Sequence, residues 1–239
     1  MAAYTLRLLE DKLGPGQEIE GLLAGPSSSP AGHAVTYVVA GSATVTPTGG
    51  EAAGAAPAGL ELGANQAWHG LLSERLAAGA GGAHLLRFEL LPPAPGVDAG
   101  GPVPPLANEL AAATLDLDHP GSQLLRCDRV DFPPGGIAYL HTHAGSGIRC
   151  LLSGDLWIES EQRQARTRVP ALGAWFERAG EPVLATASAT ATTAFVRVMV
   201  LPAERKGQRS IRYLDPVDQD KPKLQRYTLL VDDLVELRA

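Results

Sequence analysis

The two halves of this chain end alike, and that likeness limits the fold more than any single motif. Placing Gly63-Ala64 on Gly173-Ala174 and reading forward without gaps puts Gly70 on Gly180, Arg87 on Arg197 and Leu91-Pro92 on Leu201-Pro202. Upstream, Val35-Thr36-Tyr37-Val38-Val39-Ala40-Gly41 matches Ile148-Arg149-Cys150-Leu151-Leu152-Ser153-Gly154. A self-similarity of this kind implies one structural unit used twice. Each copy reads as β structure, because short apolar runs such as His84 to Leu90, Leu156 to Ile158 and Phe195 to Val200 are separated by turn residues. With 27 glycines and 19 prolines, long helices have little room. Only Ala107 to Leu115, and more weakly Leu71 to Ala78, have helix-forming composition.

The expected boundaries are a first unit over 1–92, a Pro-, Gly- and Ala-rich linker over 93–121, a second unit over 122–202 and a C-terminal extension over 203–239. A net charge of −6 opposes nucleic-acid binding, which needs a basic field. No apolar run approaches the ~20 residues of a spanning helix, so no membrane is expected. The opening Met1 to Arg7 lacks the basic and apolar regions of a secretory signal, which makes the cytoplasm the expected compartment. Cys127 and Cys150 lack metal or disulfide spacing and read as reduced, packed thiols. The partners expected are a small molecule and a second copy in a homodimer.

In the second copy, Gly135 is followed after five residues by His141-Thr142-His143, and Gly154 lies beyond. Imidazoles two apart on a strand project from one face, so both can reach a shared ligand or metal. This spacing resembles the first signature motif of the cupin superfamily, glycine, five residues, His-x-His, three or four residues, glutamate, six residues, glycine. The resemblance implies an all-β chain of two cupin-type jelly-roll barrels, a bicupin, with the C-terminal barrel carrying the pocket. It also implies a divalent metal, Fe, Mn, Ni or Zn, on His141 and His143.

Several residues depart from the family pattern. Gly147 stands at the family's glutamate position, and neither Leu184 nor Ala185 supplies the later histidine. In the first copy Ser28, Pro30 and Ala34 fall at the ligand positions, so no metal is expected there. Glu177 is the candidate third ligand, sharing a strand face with Trp175. Arg149 lies two residues after Gly147 and so shares its face. There it would replace a metal's charge with a fixed one and bind a carboxylate or phosphate. A one-residue register slip would instead put it outside, in a surface ion pair.

Tyr139, Arg149 and Glu177 are the candidate catalytic residues. Arg87 and Arg197 recur and read as architectural, each paired with an acid. Trp68, Trp175 and Phe176 read as packing. His69 falls opposite Ala179, and His33, His84 and His119 have no spacing that suggests chemistry. Two functions stay open at this level. One is an enzyme binding an oxygenated or acidic organic compound, which the family resemblance makes a dioxygenase, isomerase or lyase. The other is a metal-free, non-catalytic ligand-binding or sensor protein.

Overall fold

Gly41 and Gly154 occupy equivalent places with φ of 76° and 74°, a backbone region that side chains disfavour. A Cβ on either would strike a carbonyl oxygen of the facing chain. The matched glycines of the repeat therefore mark one turn used twice. A computed structural model describes residues 2–19, 32–46, 59–72, 74–93, 103–117, 121–160 and 163–237.

The chain divides into two compact units, Met1–Pro120 with Leu237–Ala239, and Gly121–Glu236. The first contains β1 (Ala2–Leu13), β2 (Glu18–Ile19), β3 (His33–Thr46), β4 (Leu60–Gly63), β5 (Ala67–Leu71), β6 (Arg75–Leu91) and β7 (Ala107–Leu117). Its main sheet runs β4-β3-β6-β1-β7, with β2 on β6 and β5 on β3. The runs Val35–Val39 and Ser42–Val45 merge into one long strand, bent by register shifts against β6. Leu13, Val38, Val45, Leu62, Leu76 and Leu85 share one core.

The second unit contains β8 (Ser122–Phe132), β9 (Ile137–His143), β10 (Ser146–Ser153), β11 (Leu156–Ser160), β12 (Arg163–Val169), β13 (Ala174–Glu177), β14 (Val183–Ala187), β15 (Thr193–Pro202), β16 (Ile211–Tyr213) and β17 (Arg226–Glu236). Its single α-helix among the described residues is α1 (Pro216–Asp220), capped by the Asp215 carboxylate on the Val217 amide. Two five-stranded sheets form, ordered β13-β10-β15-β8-β17 and β12-β11-β14-β9-β16. Phe132, Leu151 and Phe195 from the first meet Ile158, Val169 and Val183 from the second in a shared core.

The all-β expectation holds, with three differences. Ala107 to Leu117 is a strand, not a helix or linker, because pairing with β1 overrides the alanine propensity. Leu71 closes β5, and Arg75 to Ala78 open β6, so no helix forms there either. Residues 203–236 are not an appendage: β16 pairs with β9 and β17 with β8. The linker residues 94–102 and 118–120 lie outside the described residues, as do Ser28, Pro30 and His119. Among the described residues no helix is long and apolar enough to cross a membrane.

The gapless repeat also needs a three-residue correction over one stretch. Asn65 and Val38 exchange backbone hydrogen bonds through Gln66 as Leu172 and Leu151 do through Gly173. Trp68 lies opposite Thr36 and Trp175 opposite Arg149, so the two tryptophans are the true counterparts. Glu177 then corresponds to Gly70, whose side-chain space is filled by the Glu74 carboxylate. That carboxylate accepts from Trp68 Nε1 at 2.8 Å, as Glu177 does from Trp175 Nε1 at 2.8 Å.

The recurring arginines are buried and paired with acids. Arg197 donates to both oxygens of Asp128, at 2.7 and 3.1 Å. Arg87 bridges Asp11 and Glu89, and Arg7 donates to Glu89 from the other side at 2.7 Å. Cys127 and Cys150 are buried and form no disulfide with each other, and burial pushes the Cys127 thiol up.

Candidate functional site

A bulge in β9 aims the histidines inward. Ala185 of β14 faces Ala138, and Val183 faces His141, so Tyr139 and Leu140 together oppose Leu184 alone. Ala138, His141 and His143 all turn into the second unit, and both rings are buried. Their Nε2 atoms stand 3.1 Å apart. His141 Nδ1 lies 2.6 Å from the Tyr139 carbonyl oxygen and so carries the proton, leaving its Nε2 an acceptor.

From the facing sheet, Arg149, Trp175 and Arg197 lie side by side across β10, β13 and β15. Glu177, two residues past Trp175, reaches the histidines: its Oε2 is 3.3 Å from His143 Nε2. The same oxygen is 2.8 Å from Arg149 Nη2, in an ion pair whose angle is not that of a hydrogen bond. Arg149 Nη1 donates to the Gly147 carbonyl at 2.5 Å. The inward placement of Arg149 agrees with strand parity, and its side chain is 1% exposed. Gly147 is fixed as glycine, since a Cβ would meet the Val198 carbonyl oxygen at 2.2 Å.

Electrostatics follow from this packing. Burial pushes His143 down to about 3 and also lowers His141, so both rings stay neutral near pH 7. Burial alone would raise Glu177, but the Arg149 guanidinium and the His143 bond outweigh it and hold the carboxyl well below the usual range. Burial draws Arg149 down to about 10, which leaves it a cation.

These residues do not fit a resident divalent metal. Three donors converge, yet a dication held by them would press against the guanidinium. Like charges about 4 Å apart repel by about 4 kcal/mol per unit charge at an effective dielectric of about 20. His143 Nε2 also stands where its proton serves Glu177 or His141, and its Nδ1 has no hydrogen-bond partner among the described residues. Among those residues no cluster of three His, Cys, Asp or Glu side chains has metal-holding geometry. The void beside the pair, lined also by Phe132, Ile158 and Phe195, is about 20 Å³. That admits a water-sized molecule and no organic acid.

The Arg149 guanidinium faces the Glu177 carboxylate, which neutralises it. Tyr139 stays outside the site, its ring 4.7 Å from Lys221 Nζ and 5.8 Å from Lys223 Nζ. In the first unit, His33 Nδ1 and His69 Nε2 approach to 3.2 Å, a juxtaposition that sequence spacing did not show. His84 pairs with Glu10 at 2.8 Å.

Sequence reading also missed a larger cavity of about 450 Å³ on the second unit, between β8, β15 and β17 on one side and β16 on the other. Its walls include Arg197, Arg209, Tyr213, Lys223, Gln225 and Tyr227. The tail's local basicity and tyrosines were the available signal. Volumes of about 300 to 1,000 Å³ are those of ligand pockets.

No family model and no curated protein matches the sequence. In solved structures the fold is shared. An oxalate decarboxylase from Lactobacillus farciminis, determined as a formate complex, superposes with a TM-score of 0.61 at 14% identity, over 92% of this chain and 82% of that one. The Bacillus subtilis oxalate decarboxylase, whose Mn(II) centres were studied, gives 0.60 at 14% identity, over 91% and 73%. The chain thus shares the fold of these decarboxylases, in keeping with the two-barrel cupin architecture that the His-x-His motif and the repeat imply. At this identity the likeness speaks for architecture alone.

Proposed function

We propose that this chain is a bicupin that binds a small organic acid in its second unit, without a resident metal and without turnover. The observation that carries the reading is the Arg149–Glu177 ion pair against His143. It puts a permanent positive charge where the family motif would place a cation, and it occupies the third donor. Uncompensated cationic groups lie instead in the large groove, where Arg209 and Lys223 have no carboxylate partner among the described residues. In an acidic protein this gives a local attraction for anions.

The competing reading, a metal-dependent dioxygenase, isomerase or lyase, draws on the convergence of His141, His143 and Glu177 and on the fold shared with manganese-containing decarboxylases. Metal analysis separates the two. Untagged protein grown with added manganese, iron, nickel and zinc is expected to carry under about a tenth of an equivalent of any of them. Near-stoichiometric metal, lost in the His141→Ala/His143→Ala variant, would establish the enzyme reading.

A further inference from the structure

The geometry points to a metal site in the first unit: His33 and His69 together take one copper(II) ion, each through one ring nitrogen. The inference goes beyond the proposed function, because it uses no residue of the second unit. His33 opens β3, and His69 lies on β5, where it stands opposite Val35. Residues two apart on a strand share a face, so the two rings are diagonal neighbours across the strand pair. Thr36 and Trp68, paired one position further on, occupy the reverse face, the equivalent of the face that carries Arg149 and Trp175 in the second unit. The histidine pair of the first unit therefore lies on the other side of its sheet from the place where the family motif would put a metal.

His33 Nδ1 and His69 Nε2 are 3.2 Å apart, with ring centroids 5.3 Å apart and planes inclined at 35°. That gap stands at the far end of the hydrogen-bond range of about 2.7 to 3.2 Å. It falls inside the range for two donors on one ion, since nitrogens bound at about 2.05 Å lie about 2.9 Å apart at a right angle and about 3.3 Å apart in a tetrahedron. Both rings are half-buried, and Leu71, opposite His33, is 40% exposed, so an ion reaches them from solvent. Burial first and the His69 ring second push His33 down to about 4, and no guanidinium acts on it as Arg149 acts on His143. A dication between these rings therefore meets no fixed positive charge of that kind.

The chemistry of the donors selects the ion. Imidazole suits the late first-row divalent metals, and copper(II) binds nitrogen donors most tightly among them. Among the described residues no third His, Cys, Asp or Glu joins the pair in metal-holding geometry, so water completes the coordination and the ion stays exchangeable and open to chelators. Each ring must then carry its proton on the far nitrogen, Nε2 of His33 and Nδ1 of His69. One ring changes tautomer, and no proton leaves the pair.

Titration of copper(II) into untagged, chelator-treated full chain at pH 7, followed through the histidine ring resonances, tests this. One equivalent is expected to bind with Kd below about 10 µM. Its paramagnetism is expected to broaden His33 and His69 first among the six histidines. His33→Gln/His69→Gln is expected to weaken binding by about tenfold or more, while His141→Ala/His143→Ala binds as the wild type does. The wild-type spectra locate the ion whether or not the double variant folds. No binding at about 100 µM copper(II), broadening centred on other histidines, or an unchanged affinity in His33→Gln/His69→Gln would each overturn the inference. Copper binding lost in His141→Ala/His143→Ala instead would place the ion in the second unit, against both this inference and the metal-free reading.

Discussion

Glu177→Gln is expected to lower the unfolding free energy of the second unit by about 3 to 5 kcal/mol, because it strips the counter-charge from a guanidinium with no other outlet. Arg149 is almost wholly enclosed, and among the described residues its only hydrogen bond is to the Gly147 carbonyl. Glutamine keeps the shape, and can keep the Trp175 Nε1 bond, but leaves the charge buried. The double variant Arg149→Met/Glu177→Met is expected to recover most of the loss, since a buried pair often does no better than apolar groups of like volume. Urea unfolding followed at the tryptophans reports this. Two transitions are to be fitted separately, because a two-unit chain need not unfold in one step. A Glu177→Gln loss under about 0.5 kcal/mol would show that Arg149 finds water or another partner.

Acid is expected to destabilise the second unit well before any carboxylate titrates. His143 is pushed down to about 3, while an unfolded histidine titrates near 6.5. Between those values the unfolded chain binds more protons, so stability rises with pH and falls as acid is added. The window runs from about pH 6.5 downward and costs about 2 kcal/mol between pH 7 and 5 for this one group. His141 contributes with the same sign, and His33, pushed down to about 4, does so in the first unit. Glu177 joins only below the unfolded carboxylate range, because its folded value is depressed and its stabilisation persists until the pair is broken. Comparing denaturation at pH 7 and 5 for wild type and His143→Gln measures the share of one ring. A wild-type profile flat over that range would contradict neutral, buried imidazoles.

Much of this architecture was legible in residue order. Punctuated apolar runs gave the strands, matched glycines gave the turn at Gly41 and Gly154, and parity put Arg149 inside. The recurring arginines announced their buried acids. What stayed hidden was long-range register. Only strand pairing brings Glu177 to His143, 34 positions away in sequence, and only a bulge at Tyr139-Leu140 reconciles inward Ala138 with inward His141. The alanine-rich β7 looked helical because local propensity cannot see the edge of β1. The groove was hidden for the same reason, since Tyr227 and Gln225 reach it through the pairing of β17 with β8.

The central claim is that a fixed guanidinium has taken the place of a metal ion at the histidine pair. A titration of Mn(II) into untagged, chelator-treated wild-type protein, followed by the six-line electron paramagnetic resonance of the free ion, tests it most directly. The account predicts that the signal of free Mn(II) stays essentially undiminished as the metal approaches one equivalent. Loss of that signal in proportion to protein, abolished in His141→Ala/His143→Ala, would contradict it.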